Sequence, residues 1–218
     1  MIDLSVMMTI LTKRVNRMEI KCLVTGDWVC NTYIVEDGKS CVIVDAGQTL
    51  EKVKSVVTLP VKAILVTHAH FDHIWYLRQY QEYWQCPVYM AKVGVDKLDN
   101  PITNLSRQFC EQDLYCELDN ARVFVAEGDI DCFGLPIKAV SIPGHSNCSV
   151  AYIIDQQCFS GDLVFADGIG RTDFADGNIV SLYRSIKKLM AEDIIDFYVG
   201  HGPVFSKDEY QKVLNIRS

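Results

Sequence analysis

The sequence predicts a mixed α/β fold in one domain, on three observations. Apolar strand-like runs come first, then a helix, then more short strands and a second helix, so the chain reads as two similar halves with no evident linker. Each histidine, and the aspartates grouped with them, follows a strand-like run. A content of 49% hydrophobic and 22% charged residues describes a chain that buries a core, and 218 residues suit one ample domain or two small ones.

Glu19 to Val24 alternates polar and apolar residues as a half-buried strand does, and Thr25-Gly26-Asp27 turns the chain into a strand from Trp28 to Val35. Asp37-Gly38 is a hairpin signal, with Ser40 to Asp45 as the returning strand. A short helix is expected from Leu50 to Val57, ended by Pro60, and Val61 to Val66 is a further strand. Leu77, Tyr80 and Trp84 then recur at helical spacing, a stripe suited to core packing. Cys86 to Ala91 reads as a strand. Lys92 to Asn120 has no clean period and reads as helix and loop, either lying over the site or a plain surface excursion. Short strands return from Ala121, with turns at Glu127-Gly128-Asp129, Gly134 and Asp155-Gln156. Leu182, Ile186 and Leu189 stripe a helix from Ile179 to Met190, Ile195 to Val199 is the last strand, and Ser206-x-x-Glu209 is a capping box opening the final helix. Residues 1–17 are expected to be an N-terminal extension or tail and 18–218 the domain itself.

Bulk properties exclude some classes of partner. A net charge of -7 argues against nucleic acid, and no apolar run approaches the roughly 20 residues that span a bilayer. Nine cysteines, without a C-x-x-C pair and with several inside strand-like runs (Cys22, Cys30, Cys41, Cys158), fit a reducing compartment, so a cytoplasmic location is expected. Met1 to Arg17 has its charges, Lys13, Arg14 and Arg17, at the wrong end for a signal peptide.

The chemistry concentrates in Thr67-His68-Ala69-His70-Phe71-Asp72-His73. Three of the five histidines fall within six positions there, straight after the strand from Val61. Residues two apart in an extended segment project to one side, so His68 and His70 can grip one ion, while Asp72 and His73, past the strand end, can face a second. A satisfied polar group near a core is the alternative for any single histidine; nitrogen and carboxylate donors this dense suit zinc or iron better. The other two histidines sit in glycine-flanked loops, Pro143-Gly144-His145-Ser146 and Gly200-His201-Gly202-Pro203. Ser160-Gly161-Asp162 adds a carboxylate, and Val42-Ile43-Val44-Asp45 ends another strand in one.

These five motifs, in this order, resemble the metallo-β-lactamase superfamily from about Met18 to the C-terminus. The resemblance implies an αββα sandwich: two mixed sheets face to face, helices outside, and the site along one edge. It also implies that His68, His70 and His145 hold one metal ion, that Asp72, His73 and His201 hold another, and that Asp162 bridges them. Two zinc ions are expected, with one or two irons as the alternative. A hydroxide held between the ions beside Asp72 and Asp162 would be the nucleophile. Asp45 would either orient a ligand histidine from outside the ligand shell or cap nearby backbone donors.

Asp162-Leu163-Val164-Phe165 and Gly168 to Phe174 look like the short glyoxalase II-like hydrolases, and also like the persulfide dioxygenases. In glyoxalase II a glutathione-contacting lysine lies nine positions after the bridging aspartate. Arg171 holds that place here, to bind a substrate carboxylate or to pair with Asp173 or Asp176. Other features depart from the glyoxalase pattern. Asp173 stands where a tyrosine is expected, Gly202-Pro203 follow His201 in place of a segment carrying a substrate-contacting tyrosine, and no helical region follows Val213 to complete a glutathione pocket. Trp75-Tyr76 replace two glycines and are expected to narrow the mouth of the site. The expectation is a hydrolase of a small-molecule thioester or thiol-derived substrate that uses lactoylglutathione poorly. A mononuclear iron persulfide dioxygenase, built on His68, His145 and Asp162, is the alternative, with β-lactamase or lactonase activity behind it.

Overall fold

A computed structural model describes residues 9–24, 30–119 and 122–217. The expected turn at Thr25-Gly26-Asp27 and the start of the strand expected from Trp28 lie outside the described residues. The first half comprises Thr9–Val15 (β1), Met18–Val24 (β2), Thr32–Glu36 (β3), Cys41–Val44 (β4), Leu50–Val56 (α1), Val61–Leu65 (β5), Phe71–Ile74 (α2), Leu77–Trp84 (α3), Val88–Met90 (β6), Lys92–Leu98 (α4), Ser106–Phe109 (α5) and Val123–Val125 (β7). The second comprises Gly128–Ile130 (β8), Ile137–Ser141 (β9), Val150–Ile154 (β10), Gln157–Gly161 (β11), Val164–Phe165 (β12), Gly168–Ile169 (β13), Ile179–Met190 (α6), Asp196–Val199 (β14), Phe205–Ser206 (β15) and Lys207–Arg217 (α7).

Two mixed sheets form, β1-β2-β3-β4-β5-β6-β7 and β15-β14-β11-β10-β9-β8. Their facing sides interleave Ile20, Tyr33, Val42, Val44 and Leu65 with Ile137, Tyr152, Ile154, Phe159 and Tyr198. The outer face of the first sheet packs Ile34, Ile43, Ile64 and Val88 against Val53, Leu77 and Tyr80 of α1 and α3. The outer face of the second packs Ala151, Ile153, Phe197 and Val199 against Leu182, Ile186 and Leu189 of α6. The order is therefore helix, sheet, sheet, helix, as expected. Successive strand residues point to opposite faces, so runs such as Cys41–Val44, buried on both sides, read as continuous apolar stretches. Each fully buried side chain of this size contributes roughly 1.5–3 kcal/mol. Cysteines behave as small apolar groups, Cys22 between the sheets, Cys41 and Cys86 under α1 and α3, and Cys158 under α6.

One element falls within the segment expected to be an extension. β1 pairs antiparallel with β2 from Thr9 opposite Val24 to Val15 opposite Met18, at the edge of the first sheet. Lys13 Nζ meets Asp196 of the other sheet at 2.8 Å. The Ser206 capping box forms, with Ser206 N donating to Glu209 Oε2 at 2.7 Å and Glu209 N to Ser206 Oγ at 3.2 Å. The expected turn at Asp155-Gln156 is made by two residues in the left-handed region, which matches a tight hairpin between β10 and β11.

The functional consequence of this topology lies in two parallel strand pairs, β4 with β5 in one sheet and β11 with β14 in the other. Parallel neighbours end on the same side. Asp45 and Thr67 to His70 therefore leave the first sheet together, and Asp162 and His201 leave the second. No helix among the described residues is long and apolar enough to cross a membrane.

Candidate metal centre

Three nitrogen atoms converge first. His68 Nε2 lies 3.1 Å from His70 Nδ1, which lies 2.9 Å from His145 Nε2. These rings are almost completely buried. Burial drives the pKa of both His68 and His70 well below the ordinary imidazole value, with neighbouring imidazoles adding to it, so both are neutral donors at pH 7.

A second group lies beside the first. His201 Nε2 is 2.9 Å from Asp72 Oδ2, and His73 Nε2 is 3.7 Å from the same oxygen. Asp162 stands between the groups: Oδ1 is 3.5 Å from His73 Nε2, and Oδ2 is 3.7 Å from His145 Nε2 and 3.6 Å from His201 Nε2. Burial would lower the pKa of His73, but the carboxylates of Asp45, Asp72 and Asp162 around it hold it above the ordinary value. His201 is likewise raised, Asp162 and Asp72 outweighing burial. Burial would raise the Asp162 carboxyl, yet His73, His201 and His145 hold it below the usual carboxylate range. The structure thus brings together all seven residues expected from the sequence, in the two groups expected, with Asp162 shared.

The donor set fits cations. His73 Nε2 and Asp162 Oδ1 are both buried without a hydrogen-bond partner, a costly arrangement for polar atoms that a positive ion would relieve. Space is kept for it as well. A Cβ on Gly200 would lie 2.0 Å from Asp162 Oδ1 and 2.7 Å from His73 Cε1, so only glycine lets the backbone pass so close.

Hydrogen bonds behind the site fix which nitrogen faces in. Asp45, at φ 59° in the left-handed region that aspartate tolerates, accepts from Thr67 N through Oδ1 at 2.7 Å. Its Oδ2 accepts from Thr67 Oγ1 at 2.8 Å and from His73 Nδ1 at 2.8 Å. Thr67 Oγ1, having given its proton to Asp45, can accept from His68 Nδ1 at 3.2 Å. One carboxylate therefore sets the tautomer of two histidines, one directly and one through a hydroxyl, leaving both Nε2 lone pairs towards the site. His145 Nδ1 donates to the Arg171 carbonyl at 2.8 Å, with the same effect. Asp45 accordingly fills both roles open to it in the sequence. Thr67 opens the motif, yet its spacing carries no sign of the relay.

Beyond the donors a cleft of about 340 Å³ opens, lined by Phe71, Leu105, Phe109, Phe165 and Phe174 as well as the site residues. The excursion from Lys92 lies over the site: Phe71 N donates to Asn104 O at 2.8 Å, and Phe109 stacks on Phe71. Trp75 and Tyr76, expected at the mouth, are not among the lining residues. Tyr76 packs on the helix-side core, and Trp75 meets the cleft residue Phe71 edge-on. Arg171 pairs with Asp173 through Nε–Oδ1 at 2.9 Å and Nη2–Oδ2 at 2.7 Å, whereas Asp176 is held by buried Lys97. Cys30 lies against His73 and Asp45, but burial pushes its thiol up to about 12, so it stays protonated and packs as an apolar group.

Comparison with known proteins follows the same lines. Residues 25–201 match the family described as "Metallo-beta-lactamase superfamily". A "Probable metallo-hydrolase YqgX" of Bacillus subtilis is 30% identical over 208 residues, covering 91% of this chain and 98% of the relative. Among solved structures, the BLEG-1 B3 metallo-beta-lactamase superposes with a TM-score of 0.82 at 29% identity, over 88% of this chain and 96% of the other. TTHA1623 in a di-iron-bound form superposes at 0.77 with 28% identity, over 88% and 97%.

Proposed function

The chain belongs to the metallo-beta-lactamase superfamily, and from that premise we propose that it is a metal-dependent hydrolase acting on small-molecule thioesters and related activated acyl compounds. His68, His70 and His145 would hold one ion, Asp72, His73 and His201 would hold a second, and Asp162 stands within reach of both groups. The observation that carries this reading is the position of Asp162, buried between two donor groups, with Oδ1 3.5 Å from His73 Nε2 but without a hydrogen bond and Oδ2 within 3.7 Å of both His145 and His201. Metal bound there would supply a water whose pKa is lowered to about 7 and would polarise a carbonyl.

The chain's own residues do the rest. Asp45, Thr67 and the Arg171 carbonyl keep His73, His68 and His145 in the ligating tautomer. Asp72 and Asp162 are acceptors that orient the attacking water, with Asp162 ionised at neutral pH in the company of three imidazoles. No serine or cysteine nucleophile is needed, and Cys30, a protonated thiol behind His73, is not placed to serve as one.

Zinc is the ion proposed, and iron is the second reading because the similar TTHA1623 was solved with two irons. An iron dioxygenase is the alternative reaction, since His68, His145 and Asp162 also offer a two-histidine, one-carboxylate set, with Asp162 Oδ2 3.7 Å from His145 Nε2. The test is elemental analysis of protein purified without added metal, paired with turnover of a thioester series, a chromogenic cephalosporin and glutathione persulfide with oxygen uptake. Two equivalents of zinc and thioester turnover are expected. Oxygen uptake with one iron, or a fully loaded protein inert to every thioester, would overturn the proposal.

A further inference from the structure

We propose that the cleft selects a substrate whose group beside the scissile carbonyl is uncharged and aromatic or bulky aliphatic, with Phe71, Phe109 and Phe174 making that selection. This rests on reading the cleft as the substrate site of a metal-dependent hydrolase, and adds the chemistry of what it admits. Three segments far apart in sequence bring the rings together. Phe71 and Phe109 stack with centroids 6.1 Å apart, Phe109 meets Phe174 edge-on at 6.0 Å, and Phe174 stands edge-on to His70 and His145 at 5.3 and 5.6 Å. A continuous aromatic wall thus runs from the rim, where Phe109 is 39% exposed, to the imidazoles that would hold metal. Such rings accept another ring edge-on or offset-stacked, and a flexible polar chain gains little from them.

Leu105 adds to the wall at a conformational cost. Its backbone is left-handed, with φ 68°, a region a branched side chain rarely occupies. Fully buried Asn104 holds it there, donating to the carbonyls of Leu98 and Leu114 at 3.3 and 3.0 Å and accepting from Ser106 N at 3.0 Å. The fold therefore keeps an unfavourable conformation at a point that lines the cleft with a leucine.

The charge pattern points the same way. Arg171, the guanidinium lining the cleft, has its Nε–Nη2 edge taken by Asp173 and rests over the Phe174 ring at 4.7 Å. A substrate carboxylate would have to compete with Asp173 for that cation.

The test uses the zinc-loaded protein and two thiols that both anchor through sulfur, 2-phenylethanethiol and 3-mercaptopropionate, titrated calorimetrically. The aromatic thiol should bind at least tenfold more tightly, and the ratio should fall towards one in Phe109→Ala and Phe174→Ala. Equal or tighter binding of the charged thiol, or an unchanged ratio in both variants, would overturn the inference. Turnover supplies a second arm. Phenylacetyl and succinyl thioesters of one thiol should differ at least tenfold in kcat/KM, and Asp173→Asn, by releasing Arg171, should narrow that gap. Equal turnover of the two overturns the inference and leaves the hydrolase reading standing. A tenfold binding preference with no thioester turned over does the reverse.

Discussion

Replacing Asp45 by asparagine keeps the shape of a side chain that is 2% exposed but takes away one of its two acceptors. The carboxylate now serves three donors: Thr67 N at 2.7 Å, and Thr67 Oγ1 and His73 Nδ1 at 2.8 Å each. If the amide oxygen keeps Thr67 N, the amide nitrogen confronts His73 Nδ1–H. His73 must then move its proton to Nε2, and the lone pair aimed at Asp72 and Asp162 is lost. Thr67, no longer bound to a carboxylate, stops fixing His68. Outer partners of this kind are worth about 10–100-fold in metal affinity, or roughly 1.4–2.8 kcal/mol. The ion held by Asp72, His73 and His201 should lose about 100-fold, because its histidine is touched directly, and the other about tenfold. Thr67→Val breaks only the relay, so its main effect should fall on the ion held by His68. Competition titration of zinc against a chromophoric chelator, fitted to two sites, reads both constants, and thermal melts of metal-free protein report folding separately. An Asp45→Asn protein that binds two zinc ions as tightly as the native chain, and loses only melting temperature, would show the carboxylate to be a backbone cap and refute the relay.

Other expectations are simpler to state. His70→Ala should abolish hydrolysis and at least one equivalent of bound metal while the circular dichroism spectrum stays native; unchanged turnover would remove His70 from the site. Metal uptake should differ in its pH dependence between the two positions. His73 and His201, raised by their carboxylates, carry protons near neutrality that must leave before they ligate, so affinity there rises with pH through their raised pKa values. His68 and His70, lowered by burial, are already neutral, so affinity there stays flat around pH 7. Calorimetry in buffers of different ionisation enthalpy counts the protons released, and equal release at both sites would contradict the assignment. Lys97→Met leaves the Asp176 carboxylate without its cation between α4 and the His145 loop, where Asp176 also accepts from Asn147 N. A loss of about 3 kcal/mol is expected from breaking such a buried pair, seen as a fall in melting temperature of roughly 6–12 °C. A shift within experimental error would mean that water replaces the lysine.

Local patterns carried a great deal of this protein. His68 and His70 share a side because strand geometry alternates, and Asp72 and His73 follow within one turn, so that half of the metal centre is legible from adjacent letters. The αββα order came through a resemblance carried by five short motifs, and the strands bear it out because each apolar run is buried on one or both faces of a sheet. What adjacency cannot encode is which distant segments meet. Thr67 serves as a relay only because two parallel strands end side by side and place Asp45 beneath it. Trp75 and Tyr76 were expected at the mouth, but Tyr76 packs on the helix-side core and Trp75 lies behind the cleft wall against Phe71. Phe71, Phe109 and Phe174 form one wall only after the excursion from Lys92 folds over the site and Asn104 ties it down. Four of the seven proposed ligands, His68, His70, Asp72 and His73, were written in close spacings where backbone geometry fixes direction, and His145, Asp162 and His201 came through the resemblance. The shape and polarity of the space around those ligands depend on contacts across some 40 to 100 positions, and only the packed tertiary structure decides them.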